Sequence, residues 1–99
     1  PEIALIDKAI TENLQLLIDY YSPTSDSLSS RLIAPLEYLE DSAGRRYIYA
    51  WCYTAQDFRQ FKLERIRSTK DTNTKAMKFE LPPKSNQNRN NSNWIEFVQ

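Results

Sequence analysis

The residues with the most chemical potential are arginines set among apolar side chains. They fall in Asp57-Phe58-Arg59-Gln60-Phe61-Lys62-Leu63-Glu64-Arg65-Ile66. In an extended strand, successive side chains point to opposite faces of the sheet. As one strand, the stretch puts Gln60, Lys62 and Glu64 on a face that suits water. Arg59, Phe61, Leu63 and Arg65 take the other face. A guanidinium is seldom buried without partners. With its stem packed on Phe61 or Leu63, each arginine can carry its head to a rim. There it pairs with a carboxylate such as Glu37, Glu64 or Asp57, or presents a planar fork to a phosphate or carboxylate ligand. Arg31, on the strand before Pro35, can join them.

A second constellation lies just upstream. Extended, residues 47–53 send Ile48, Ala50 and Cys52 one way and Tyr47, Tyr49, Trp51 and Tyr53 the other. A row of four large rings is an aggregation hazard if left uncovered. Either a helix over residues 3–13 or the C-terminal "WIEFV" lies over it, or part of it stays accessible for stacking. Aromatic faces bind bases at ~1–3 kcal/mol each when a basic groove beside them holds the phosphates.

Catalysis is poorly supported, and the expectation is that this is not an enzyme. The chain has no histidine, so neither a histidine relay nor a histidine-ligated metal is available. The single cysteine, Cys52, falls on the core-facing side of its strand, where a thiol behaves as a small hydrophobe. One glycine cannot build a glycine-rich phosphate loop. No cofactor or metal is expected.

The elements that must position these groups fit one small domain. Ninety-nine residues with 40% hydrophobic and 26% charged content are an ordinary globular composition. Formal net charge is zero, but residues 1–50 hold 4 basic and 8 acidic side chains, and residues 51–99 hold 9 and 5. Between Arg59 and Lys78 stand 7 basic and 2 acidic side chains. Such a local basic region points to an anionic partner met at one surface, or to a solvated sheet edge. A lone cysteine and the lack of an apolar membrane span or secretory leader suit a cytoplasmic setting. Opening on Pro1 suits either a processed terminus or a fragment of a longer protein, and the fragment is the preferred expectation.

Ile3, Ile6 and Ile10 recur at helical spacing, and Asn13 is a natural stop. The period then changes, with Leu14, Leu16, Ile18 and Tyr20 on one face of a strand. Residues 22–30, "SPTSDSLSS", are expected to form a loop. "RLIAPLEYLE" is a strand whose Pro35 argues for an edge or a bend. "EDSAGRR" supplies a hairpin around Gly44, and "AQD" at 55–57 another turn. Past Arg67 the strand signal weakens, with "KAMKFEL" a candidate. Residues 82–93 are polar and low in complexity, expected to be a mobile linker, and 94–99 form a short strand-like end. One helix and about five strands over residues 1–81 make a small, strongly bent antiparallel β-barrel of Sm-like or SH3-like outline.

These residues resemble a WYL domain, a regulatory module of bacterial transcription factors and CRISPR-associated regulators. The likeness runs from Ile3 to about Ser68. It rests on "LLIDY" ending at Tyr20, "RLIAP" with Arg31 and Pro35, the "YIYAWC" strand, and "RQFKLERI", which matches the family's Arg-x-Phe-x-Leu-Asp-Arg-Ile block. The eponymous triplet reads Arg46-Tyr47-Ile48, and the aspartate of the last block is Glu64. The resemblance implies an Sm-like barrel with an N-terminal helix, usually placed after a winged helix-turn-helix domain. It implies sensing of a nucleotide or single-stranded nucleic acid at positions matching Arg31, Tyr47, Arg59 and Arg65. Arg46 and Trp51 are further candidates, the first as an anion contact and the second as a substitute indole. No helix-turn-helix occurs in this sequence, so DNA contact is expected through an attached domain. The alternative is a structural module for dimerisation or docking, its arginines bridging subunits.

Overall fold

A computed structural model describes residues 2–77 of the 99-residue chain. Helix α1 spans Ile3–Glu12 and is followed by β1 (Leu14–Ser22), β2 (Ser27–Glu40), β3 (Arg46–Cys52) and β4 (Asp57–Lys62). A 3₁₀ turn at Leu63–Arg65 leads into β5 (Ile66–Lys75). The strands form one antiparallel sheet in the order β4-β3-β2-β1-β5.

Helix α1 stops where expected. Asn13 adopts a left-handed conformation at φ 58°, tolerable for its short polar side chain. Its side-chain amide donates to the Ala76 carbonyl at 3.0 Å, and its own carbonyl accepts the Ala76 N–H at 2.8 Å. The end of the helix is thereby tied to the residue just after β5. Ile6 and Ala9 then pack into one core with Leu14, Leu16, Ile18, Ile33, Ile48, Ala50, Cys52, Phe61 and Ile66. The alternation read in β1 and β3 holds, because those residues all come from one sheet face.

Several boundaries differ from expectation. The segment 22–30 is mostly strand: Ser22 pairs with Ser27, so only residues 23–26 turn. Its serines suit the ladder because their hydroxyls find partners, as Ser30 does on Asp19 at 2.8 Å. Pro35 marks a bend in a central strand, with a register shift between Pro35 and Glu37, and is not at an edge. The ladder to β1 ends at Ile33, so the missing proline N–H costs it nothing. The last described strand is the polar 66–75. "KAMKFEL" is not a strand at Ala76 and Met77, and its remainder lies outside the described residues. So do the expected linker at 82–93 and the segment 94–99.

Among the described residues the ladder does not close into the expected barrel; β4 and β5 are its two edges. The sheet is nonetheless strongly curled. Flat, five strands would hold their edges roughly 19 Å apart, whereas only Leu63–Arg65 separate the end of β4 from the start of β5. The Tyr20 ring on β1 meets Phe61 on β4 edge-on at 5.1 Å. Its hydroxyl accepts the Lys62 backbone N–H at 2.9 Å. Tyr20 thus reaches across the curl and satisfies a donor on the β4 edge.

Candidate functional site

The β3–β4 register builds the site. Tyr47 stands opposite Lys62, Tyr49 opposite Gln60 and Trp51 opposite Phe58, which puts these six side chains on one side of the hairpin. Ile48 and Phe61 form a pair on the other side, in the core. Helix α1 packs there too, against β1, β2 and β5, and so is not the cover of the aromatic row. The "WIEFV" alternative lies outside the described residues. Tyr49 and Phe58 stack with ring planes 6° apart and centroids 5.5 Å apart. Trp51 abuts Phe58 edge-on at 5.0 Å.

An open cleft of about 860 Å³ lies along this hairpin, within the range of small-molecule sites. Its rings are Tyr20, Tyr47, Tyr49 and Phe58; its cations are Arg45, Arg59, Lys62 and Arg65; Asp57 and Gln60 complete it. Four cationic side chains thus meet one carboxylate.

The cations are held differently. Arg45 is engaged by Asp41, whose side chain is fully buried, through a 2.7 Å contact from Nε to Oδ2. Burial opposes ionisation of Asp41. It is outweighed by donation from the backbone and guanidinium of Arg45, the Ala43 N–H and the Tyr47 hydroxyl, and the carboxyl titrates below its usual range. Asp41 thereby orients two cleft residues at once. Arg59 Nη1 bonds Asp57 Oδ2 at 2.7 Å and the Phe58 carbonyl at 3.0 Å. The arginine's hydrogen bond, followed by that of the Phe58 N–H, pulls the Asp57 carboxyl down. Both partners of this pair are exposed, so water competes for it and an anionic ligand can displace it. Arg65 makes no hydrogen bond or ion pair among the described residues.

Of the expected site residues, Tyr47, Arg59 and Arg65 come together here. The other three lie elsewhere. Arg31 rests 5.9 Å from the ring centroids of both Tyr20 and Phe61 and donates from Nε to Ser29. Trp51 packs behind Phe58 instead of lining the cleft. Arg46 opens β3 opposite Glu40, alternates away from Tyr47, and borders a shallow depression with Ile3, Tyr38 and Leu63.

Two assumptions about the Arg59–Arg65 stretch fail. It is not one strand, because the 3₁₀ turn begins at Leu63 and Arg65 reaches the cleft from that turn. Nor is the Gln60/Lys62 side a plain solvent face; both residues line the cleft. Tyr20, Arg45, Tyr49, Asp57 and Phe58 were also outside the expected set. The signal that could have found several of them is the pairing of two adjacent strands across one short turn.

Together the fold and the cleft define a small β module: a helix packed into a curled sheet, with a cationic, ring-lined surface at one edge. The chain belongs to the WYL domain family, whose model matches residues 1–71. It is 31% identical over 85 residues to protein PafC of Mycobacterium tuberculosis, covering 86% of this chain and 25% of that protein. It is 34% identical over 64 residues to protein PafC of Mycobacterium leprae, covering 65% and 19%. The fold matches the solved structure of proteasome accessory factor B/C (PafBC) of Arthrobacter aurescens with a TM-score of 0.69 at 26% identity, covering 81% of this chain and 13% of that one. The chain therefore spans a quarter or less of the relatives it matches.

Proposed function

We propose that this domain senses an anionic, nucleotide-like effector or single-stranded nucleic acid on behalf of a bacterial transcriptional regulator, and that it does so without catalysis. The supporting observation is the cleft itself, where Arg59, Lys62 and Arg65 converge beside Tyr47, Tyr49 and Phe58. Guanidinium and ammonium groups suit phosphates, and flat rings suit bases. The curled sheet is read as an opened Sm-like barrel whose exposed edge offers the site. DNA would be met through an attached helix-turn-helix domain, in the cytoplasm. No described helix is long and apolar enough to cross a membrane.

The test is titration of labelled single-stranded oligonucleotides and cyclic nucleotides at two salt concentrations. Binding that weakens with salt and is reduced by Arg59→Ala with Arg65→Ala supports the reading. Absence of binding, or binding indifferent to both substitutions, removes it.

A second reading is favoured by the two edges β4 and β5, which the described ladder leaves unpaired. Such edges can join another chain, making the domain a dimerisation or docking module. Sedimentation separates the two, since a tight dimer that engulfs Arg59 and Arg65 leaves no room for an effector.

A further inference from the structure

Gln60 is out of keeping with its surroundings. Both polar atoms of its carboxamide, Oε1 and Nε2, are enclosed and lack any hydrogen-bond partner among the described residues. Buried amides nearly always find partners, and one left unpaired opposes folding. A residue that breaks this rule inside a binding cleft is more readily explained by its ligand than by the fold. Gln60 stands directly opposite Tyr49 in the β3–β4 ladder, and Tyr49 stacks on Phe58. A polar amide therefore sits beside flat rings, with Arg59, Lys62 and Arg65 lining the same cleft.

We propose that Gln60 reads the edge of a nucleobase and so supplies the selectivity of the cleft. Its Oε1 accepts from a base N–H, and its Nε2 donates to the neighbouring ring nitrogen or carbonyl oxygen. An amide presents one acceptor beside its donors, the complement of the adjacent donor and acceptor on a base edge. A sugar-phosphate alone would satisfy the cations and leave this amide unpaired. A change of side-chain rotamer brings the carboxamide out to the cleft it already lines. This inference rests on the anionic-effector reading and adds which part of the effector is recognised.

The experiment compares single-stranded oligomers of dA, dC and dT with an abasic oligomer of equal phosphate count, read by fluorescence anisotropy. At least one homopolymer should bind wild-type protein about tenfold tighter than the abasic strand, as one good amide–base pair allows. Gln60→Met, which keeps the side-chain length and removes the amide, should narrow that ratio severalfold, with stacking on the rings supplying what remains. Without ligand, the same variant should unfold at a higher Tm than wild type, because an unpaired amide has been replaced by an apolar chain. Abasic and base-bearing strands binding alike, or full discrimination surviving in Gln60→Met, would overturn the inference while the anion reading stood. A lower Tm for the variant would show the amide already paired in the free protein and remove the reason for it. If no probe bound at either salt, the anion reading itself would fall, and this inference with it.

Discussion

Salt dependence gives the cleft a number to meet. Of its four cations, Arg45 is committed to the buried carboxylate of Asp41, leaving Arg59, Lys62 and Arg65 to meet phosphate. Each phosphate neutralised on a single strand contributes about −0.7 to the slope of log affinity against log salt, so three contacts predict a slope of about −2. A fourfold rise in salt should then weaken binding about twentyfold. Replacing Arg59 and Arg65 by alanine leaves Lys62 alone, with a slope of about −0.7 and a loss of only about threefold over the same change. Asp57→Asn works in the opposite sense. It frees Arg59 from its exposed partner and should raise affinity at low salt, with the gain fading as salt rises. Anisotropy titrations of a labelled single strand at four salt concentrations give all three slopes. A double variant with the wild-type slope would refute the reasoning, because the phosphate contacts would then lie outside this cleft.

The remaining predictions concern the frame. Phe61 is 2% exposed and locks the β4 edge onto Tyr20, so Phe61→Ala should cost about 3–5 kcal/mol, much of the margin of a small domain, as urea denaturation would show. Gly44 sits at φ 83° with nothing within 4 Å of an added Cβ; Gly44→Ala should therefore cost only the left-handed backbone preference, about 1–2 kcal/mol by the same assay. Asp41 titrates below its ordinary value of 3.8, so its contribution is complete above that value and is lost as pH falls through the depressed folded value. Asp41→Asn should lower Tm at neutral pH, with the difference narrowing in acid; a gap unchanged down to pH 2 would contradict this.

What could be read from the sequence was whatever depended on local pattern. The isoleucine spacing of α1, the stop at Asn13, the turn at Gly44 and the two-sided alternation of β3 all express backbone or burial preferences carried by neighbouring residues. The β5 strand was invisible because an edge strand with one paired side needs few apolar residues. Only Ile66 of its ten is buried, and the rest are mostly Ser, Thr, Lys, Asp and Asn. The serine-rich start of β2 was hidden for the same reason: its hydroxyls bond across the ladder, which composition alone reads as loop.

The site was half legible for a reason that belongs to the curl of the sheet. Alternation along one strand says which residues share a side, and it grouped Arg59 with Arg65. It cannot say that the chain leaves the strand at Leu63, or that the turn there carries Arg65 into the same cleft from another direction. That turn exists because β4 and β5 are opposite edges joined by three residues, so the sheet must bend until they approach. The bend also brings Tyr20 from β1 to the β4 edge, where one hydroxyl answers the Lys62 N–H and one ring faces Phe61. The same short connection that prevents a flat sheet therefore assembles the cations and rings into a cleft. Lengthening it by a few flexible residues should relax the curl, separate Arg65 from Arg59, and weaken phosphate binding before it unfolds the core.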